Sequence, residues 1–238
     1  MPGKPKRGAW KVIAAVILGA AIVAGAGGVI LLLTMPDKND AGPGPKPTSS
    51  VQPTNAGRPN GNCDVQGGDM TAVPSDLSWA ASGGATWPTS ASLGPTSTKD
   101  GFPVCFSRSP VGAALAATTV LFAQVDHAPA EVGAFYAVDS PGKTTALKDA
   151  TGPSQLVAQM RAQGLQLVGF RVDEFTPDRA LVQLVLSAPN AQTGYVGMPF
   201  PMVWSDGDWR LKYLDNGTTG PAVPVNDGQF TKWAASNG

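Results

Sequence analysis

The spacing of apolar residues changes along this 238-residue chain, and each change predicts a different kind of element. The first stretch is a continuous apolar run from Val12 to Met35, and no charge falls between Lys11 and Asp37. An α-helix of about 20 apolar residues is long enough to cross the hydrocarbon core of a bilayer. The pattern therefore predicts a single N-terminal transmembrane helix over residues 12–35.

A helical period of three to four residues appears from Ser109 onwards. Ser109 is a candidate N-cap and Pro110 suits the first helical position, and apolar or small residues then recur for about four turns. A second helix is predicted around Pro129–Val138. A third is predicted from Pro153 to Gln163, and Gly164 ends it.

From Leu165 onwards the apolar period becomes two, which is typical of β-strands. Ala180–Leu186 and Val196–Trp204 each have one apolar face, and Ser205-Asp206-Gly207-Asp208 is a hairpin signal. Folding the chain there places three pairs on one face: Trp204 with Trp209, Met202 with Leu211, and Phe200 with Tyr213. The order predicts an α+β domain in which helices cover one face of an antiparallel meander of about four strands.

Two details of the meander concern turns and prolines. Thr176-Pro177-Asp178 is most simply the turn between two strands. Pro199 and Pro201 both lack an N–H on the same side of their strand, so a neighbouring ladder loses two hydrogen bonds. We therefore expect a four-residue turn after Trp204, or a ladder that stops early.

These elements divide the chain into five parts. Residues 1–11 are a basic cytoplasmic tail, 12–35 the transmembrane helix, 36–62 a Pro/Gly/Ser-rich linker, 63–107 a loop-rich lead-in, and 108–238 the exported α+β domain. In the linker, eighteen of twenty-seven residues are Pro, Gly, Ser, Thr or Asn, so it is expected to be disordered or extended. The pattern does not define the secondary structure of the lead-in.

Charge sets the expected topology. Lys4, Lys6, Arg7 and Lys11 precede the apolar run, so the N-terminus should stay in the cytoplasm and the remainder should lie outside the cytoplasmic membrane. The alternative is a cleaved signal peptide, whose apolar core spans roughly 7–15 residues. Cleavage within Ala24–Gly28 would leave the strongly apolar Val29–Leu33 on the mature chain, which favours the uncleaved anchor.

The exported part has thirteen positive and seventeen negative side chains, which argues against direct nucleic-acid binding. Its two cysteines, Cys63 and Cys105, lie in a compartment where disulfides persist, so we predict that they form one. The alternative, a metal site formed by these cysteines and the single histidine, would need further ligands at short spacings. No metal and no cofactor are expected.

Few residues suggest chemistry. His127 is in a predicted inter-helix loop with no nucleophile signalled nearby, so a structural role is favoured over that of a general base. Asp173 and Glu174 are neighbours on a predicted strand and would point to opposite faces. Trp79, Trp87 and Trp233 are candidate recognition aromatics, although core or loop-covering roles are favoured. No catalytic residue is assigned, and the sequence predicts a protein that is not an enzyme.

Three segments carry a family resemblance: Ser92–Ala117, Gly169–Val185 and Gly207–Leu211. They resemble an uncharacterised family of actinobacterial single-pass membrane proteins associated with mobile and conjugative elements. The shared features are a Gly-Pro before the first helix, a Ser/Thr-Pro-x-Gly-Ala helix start and a Gly-Asp-Trp-Arg-Leu last strand. The likeness spans Trp79 to Trp233 and implies no catalytic residues.

The order of helices and then a meander is similar to the nuclear-transport-factor-2-like cone. That fold occurs in the exported domains of VirB-type and TcpC-type conjugation scaffold proteins, which share the short cytoplasmic tail and the single anchor. The resemblance implies a scaffold in a conjugative or secretion apparatus, with protein partners in an envelope complex and a homo-oligomer among the options.

Two other functions stay open at this point. An envelope ligand-binding module would use a pocket between the helices and the sheet, and it requires convergent polar groups there. An isomerase or dehydratase would need a buried acid or histidine facing the same pocket, and Asp173 and Glu174 are the candidates. A pocket filled by Phe122, Phe170 and Trp204 would instead favour the scaffold.

Overall fold

The computed structural model of the protein describes residues 63, 65–148 and 150–233, and these form four α-helices and ten β-strands. The helices are α1 (Pro110–Phe122), α2 (Pro129–Tyr136), α3 (Pro141–Lys148) and α4 (Leu156–Gln163). The strands are β1 (Leu77–Ser82), β2 (Ala85–Ser90), β3 (Ser97–Lys99), β4 (Phe102–Val104), β5 (Gln166–Thr176), β6 (Arg179–Ser187), β7 (Tyr195–Ser205), β8 (Asp208–Leu211), β9 (Val223–Val225) and β10 (Thr231–Lys232).

The predicted cytoplasmic tail, transmembrane helix and linker, residues 1–62, lie outside the described residues. Within the described part of the chain, no helix is long and apolar enough to cross a membrane.

Helix α1 is the centre of the domain. Ser109 is its N-cap, and the side-chain oxygen accepts a hydrogen bond from the Gly112 N–H at 3.0 Å, as the Ser-Pro start predicts. All thirteen residues of α1 are buried, so the helix is covered on every side instead of having one solvent face. It packs on the large sheet through β6 and on β2 from another direction.

The α+β class is confirmed, but the predicted sheet of about four strands is wrong. The sheet has six strands in the order β10-β5-β6-β7-β8, and β9 also pairs with β7. Along one side of β7, β8 pairs with Met202–Ser205 and β9 pairs with Tyr195–Gly197. Pro199 and Pro201 lie between these stretches. Because proline has no N–H to donate, the partner chain leaves the sheet there and returns as β9.

The β7–β8 hairpin confirms most of its predicted register. Trp204 is opposite Trp209 and Met202 is opposite Leu211. The preferred four-residue turn is wrong: only Asp206 and Gly207 form the turn, and both have positive φ, 54° and 80°, as in type I′ turns. The alternative expectation of a short ladder is confirmed, because β8 ends at Leu211 and Phe200 does not pair with Tyr213.

The lead-in of residues 63–107 contains two hairpins, β1–β2 and β3–β4. Its apolar residues Leu93, Phe102 and Phe106 belong to the same hydrophobic core as α1. Trp87 of β2 stacks on Phe122 with ring centroids 5.4 Å apart. The lead-in therefore closes the side of α1 that the large sheet leaves open.

The predicted second and third helices are confirmed as α2 and α4, the latter ending at Gly164 with a φ of 66°. Helix α3 was not predicted, because only Gly142 and Ala146 of its eight residues are buried and no apolar stripe marks it. Tertiary contact holds it in place: a Cβ on Gly142 would lie 2.2 Å from the Leu214 carbonyl oxygen.

Candidate functional site

The segment Cys105–Ser109, here called the junction loop, links β4 to α1, and each of its five residues makes a hydrogen bond that involves a side chain. The Asp208 carboxylate, contributed by β8, accepts the backbone N–H of Cys105 at 2.7 Å and that of Phe106 at 3.0 Å. It also accepts the Trp209 N–H at 2.9 Å. Cys105 has a φ of 71°, which directs its N–H towards the carboxylate. One buried side chain thus joins two segments about a hundred residues apart in sequence.

Burial sets the electrostatics of this carboxylate. Desolvation raises the pKa of Asp208, while the three backbone N–H groups and the charge of Arg210 oppose that shift. Burial also raises the pKa of Tyr136, and the nearby Asp208 charge raises it further. The Tyr136 hydroxyl donates to the Pro103 carbonyl at 2.8 Å, so it serves as a hydrogen-bond donor within the fold.

The rest of the junction loop is fixed from three other directions. The Trp209 indole N–H donates to the Ser107 carbonyl at 2.9 Å, and the Ser107 hydroxyl donates to the Gln66 carbonyl at 2.6 Å. The Arg108 guanidinium donates to the Pro177 carbonyl at 2.7 Å and forms an ion pair with Asp178. It also lies 5.1 Å from the centre of the Trp204 ring.

The three sequence segments that carry the family resemblance therefore meet at the junction loop. The helix start, the β5–β6 turn and the Gly-Asp-Trp-Arg-Leu strand all contact it. Their polar groups are used in holding one another: the Asp208 oxygens accept backbone N–H groups, and the Ser109 hydroxyl oxygen caps α1. The arrangement stabilises the fold and leaves no activated nucleophile there.

The two cysteines anchor one end of this loop. Their Cα atoms are 5.0 Å apart, within the range for a disulfide, and they are separated by 42 residues in sequence. Closing a loop of that length stabilises the folded state by ~4 kcal/mol in the chain-entropy description. The disulfide ties the first described residue to the loop that Asp208 holds.

The candidate residues His127 and Asp173 contact neighbouring side chains of the fold. His127 follows the 3₁₀ turn after α1, and its ring stacks on Phe102 with centroids 4.1 Å apart. Asp173 pairs with Arg171 at 2.5 Å and accepts the Gln183 amide N–H at 3.0 Å. Glu174 is exposed. Asp173 is exposed as well, so neither carboxylate is buried in the core.

The three tryptophans differ in environment. Trp233 is buried against Phe170, with ring centroids 4.3 Å apart, and Trp87 is half-buried against α1. Trp79 is 49% exposed on β1. The core or loop-covering roles therefore fit Trp233 and Trp87, while Trp79 is a surface aromatic.

Side chains fill the space between α1 and the large sheet. Phe170 and Phe200 of the sheet are buried in the same hydrophobic core as Phe122, which stacks on Trp87 of β2, and Trp204 packs against this core. Two open grooves lie on the surface. Groove A, about 330 Å³, is lined by Met70, Thr71, Ala72, Pro74, Ser75, Ser92 and Leu93. Groove B, about 340 Å³, is lined by Thr71, Pro110, Phe170, Arg171, Val172 and residues 228–231.

The grooves meet at Thr71, and Arg171 is the only charged residue in either lining. Because Arg171 already pairs with Asp173, the grooves offer mainly apolar and hydroxyl groups. Among the described residues, no cluster of three or more His, Cys, Asp or Glu side chains could hold a metal ion.

Sequence reasoning missed the role of Asp208. The hairpin signal places Asp208 in the turn, whereas in the structure it is the first residue of β8 and is buried. The available signal was an acidic residue immediately before the alternating apolar pattern of Trp209 and Leu211. A carboxylate in that position has to accept hydrogen bonds from the core, because an unpaired buried charge is very unfavourable.

The fold and the junction loop define a mixed α+β domain whose motif residues are structural. The chain belongs to a family described as a domain of unknown function (DUF8175), whose model matches residues 40–231. No curated protein and no solved structure matches the chain. The family match agrees with the expectation of an uncharacterised family, and it assigns neither a source nor a process.

Proposed function

We propose that the protein is a non-enzymatic, membrane-anchored scaffold or assembly module whose folded domain lies outside the cytoplasmic membrane. The observation that carries the proposal is the filled interior. All of α1 is buried, and Phe170 and Phe200 of the large sheet belong to the same hydrophobic core as α1, where a ligand-binding or catalytic cone would need a cavity. A domain without such a cavity interacts through its surface.

The sequence also indicates where the folded domain would be held. A basic tail, an apolar run over residues 12–35 and a Pro/Gly/Ser-rich linker would carry the domain at a distance from the membrane. From α1 onwards, the order of helices and then an antiparallel sheet is similar to the nuclear-transport-factor-2-like domains of conjugation scaffold proteins, whereas strands β1–β4 precede that order here. We therefore propose a conjugative or secretion apparatus as the assembly that the protein serves.

An envelope ligand-binding module is the second candidate, and the confluence of grooves A and B at Thr71 favours it. A Thr71→Trp variant fills the point where the two grooves meet. The matched control is Thr86→Trp, which changes an exposed threonine of β2 outside the linings of both grooves. Loss of envelope function in the first variant alone would support the ligand module. Equal function in both variants would support the scaffold.

Topology is tested with single cysteines in the full-length chain. Ser49→Cys in the linker should react with a membrane-impermeant maleimide in intact cells, whereas Lys6→Cys should react only after lysis. The native cysteines are paired and do not react. Labelling of Lys6→Cys in intact cells, or protection of Ser49→Cys, would contradict the proposed orientation.

Partners are tested by crosslinking intact cells that express the tagged full-length chain and identifying the proteins recovered from membranes. The matched control replaces residues 1–35 with a cleavable signal peptide, so that the same domain is exported without its anchor. Subunits of a transfer or secretion apparatus should be enriched with the anchored chain. Their absence from both samples would refute the assignment to such an apparatus.

A further inference from the structure

The β1–β2 hairpin has an open strand edge along β1, because among the described residues β1 pairs only with β2. Its two strands pair without a bulge from Leu77–Ser90 to Ser82–Ala85. The turn is Gly83-Gly84, with φ values of 55° and 81°, and such a two-residue turn makes Ser82 and Ala85 a hydrogen-bonded pair. From this closing pair, the residues of β1 alternate between hydrogen-bonded and non-hydrogen-bonded positions relative to β2.

Alternation sends the backbone groups of Ser78, Ala80 and Ser82 towards β2, and those of Trp79 and Ala81 away from it. The Leu77 N–H agrees with this assignment, because it turns away from β2 and donates to the Pro74 carbonyl at 3.1 Å. Within the described residues, the outward N–H and C=O groups of Trp79 and Ala81 have no backbone partner. Four strong hydrogen-bonding groups are thus free on one short edge.

This edge lacks the features with which proteins protect open strands. Such edges usually carry charges, prolines or bulges. The outer edge of β5 beyond β10 is protected in this way, by a bulge between Val172 and Glu174 and by Arg171, Asp173 and Glu174 themselves. Strand β1, with the sequence Leu-Ser-Trp-Ala-Ala-Ser, has no charge, no proline and no bulge.

We propose that β1 is a self-association edge, at which β1 of a second copy of this chain pairs antiparallel across a two-fold axis. Residues whose backbone N–H and C=O groups point away from β2 must pair with residues of the same kind in the second copy. Trp79 therefore lies opposite Ala81 of the partner subunit, and Ala80 lies on the two-fold axis. In this register all four free groups of each copy are satisfied. The two hairpins become one four-stranded sheet.

The side chains favour a second copy over an unrelated peptide. Trp79 is 49% exposed, and opposite it the pairing places the small Ala81 of the partner subunit, which leaves room for the indole on the sheet. No charged side chain lies on β1, so two copies meet without repulsion. The β5 edge differs, because Arg171, Asp173 and Glu174 place charges along it. The interface does not depend on the proposed scaffold role.

The first experiment tests the register with the full-length chain under oxidising conditions. Ala80→Cys should form a crosslinked dimer, because residues on the axis form a non-hydrogen-bonded pair with Cα atoms ~4.5 Å apart. Ser78→Cys, on the same face two residues away, is the control. Its two copies would lie roughly 14 Å apart along the paired strands and should stay uncrosslinked. Equal crosslinking of both variants, or of neither, would overturn the proposed register.

The second experiment tests the edge by charge. The double variant Trp79→Lys/Ala81→Lys sets lysine against lysine twice across the axis, whereas Trp79→Lys/Ala81→Glu sets lysine against glutamate twice. Sedimentation of the full-length chain in detergent should show the dimer dissociation constant raised at least tenfold in the first variant. The second variant should associate at least tenfold more tightly than the first.

Folding controls keep this comparison interpretable. Both double variants change only exposed positions, so their melting temperatures should match at a concentration at which both are monomeric. Thr98→Lys on the exposed strand β3 should dimerise like the unmodified chain. A monomer at all concentrations for the unmodified chain would overturn the proposal. A dimer equally strong in both double variants would overturn it as well.

Discussion

Replacing Asp208 with alanine should destabilise the domain more than any other single loss of a polar side chain in the junction loop network. The carboxylate accepts three backbone N–H groups, from Cys105, Phe106 and Trp209, and is itself buried. An alanine leaves those donors without a partner, and each buried unpaired N–H costs roughly 1–3 kcal/mol. We expect the free energy of unfolding to fall by about 3 kcal/mol or more, a large part of the ~5–15 kcal/mol of a typical domain.

Chemical denaturation of the full-length chain, followed by tryptophan fluorescence, measures this loss from the shift in midpoint at constant m-value. Asp208→Asn should lose less than alanine, because one oxygen remains to accept the N–H groups of Phe106 and Trp209. The matched control is Asp206→Asn, two residues earlier in the exposed turn, which should change stability by no more than ~0.5 kcal/mol. If Asp208→Ala were as mild as this control, the junction loop would not be the structural centre of the domain.

Three further predictions use the same assay. Gly112→Ala, a change that usually favours a helix, should destabilise the domain by more than ~2 kcal/mol, because its Cβ would lie 1.9 Å from the Ser107 carbonyl oxygen; a stabilised variant would contradict this. Phe122→Ala should cost about 3–5 kcal/mol and Trp79→Ala less than ~1 kcal/mol, and equal losses would mean that the interior is not packed as described. Burial raises the pKa of Asp208 above 3.8. The contribution of its carboxyl group to the free energy of unfolding is therefore complete below pH 3.8 and declines as the pH rises through the raised pKa. The difference in unfolding free energy between the unmodified chain and Asp208→Asn, measured across pH, should show that decline, and a flat difference would contradict it.

Local patterns predicted the elements whose own residues determine them. The Ser109-Pro110 start satisfies its own helix terminus, and the Asp206-Gly207 turn fixes the pairing of Trp204 with Trp209. Helix α3 could not be predicted in this way, since Leu214, about seventy residues later, supplies the contact that holds Gly142 in place. The sequence predicts only in part that β7 pairs first with β9 and then with β8 along the same edge. The prolines indicate where a ladder must stop, but they do not indicate which later segment returns to the sheet.

Sequence patterns are limited in the same way when they are used to predict the role of a polar side chain. Asp208 follows a turn signal, and only the position of the junction loop reveals that its carboxylate serves Cys105 and Phe106. Conversely, His127 and Asp173 have chemically capable side chains, and the fold uses them against Phe102, Arg171 and Gln183. A sequence pattern identifies which groups are present, whereas the long-range packing decides whether they face solvent, a ligand or one another.

The junction loop and the β1 edge separate folding from the association proposed above. The three motif segments meet at the junction loop, where Asp208 and Trp209 hold its backbone, so these residues keep the domain folded. The outward backbone groups of β1 lie among uncharged residues and need no particular motif. Association at the β1 edge can therefore be altered through Trp79 and Ala81 while the junction loop stays intact.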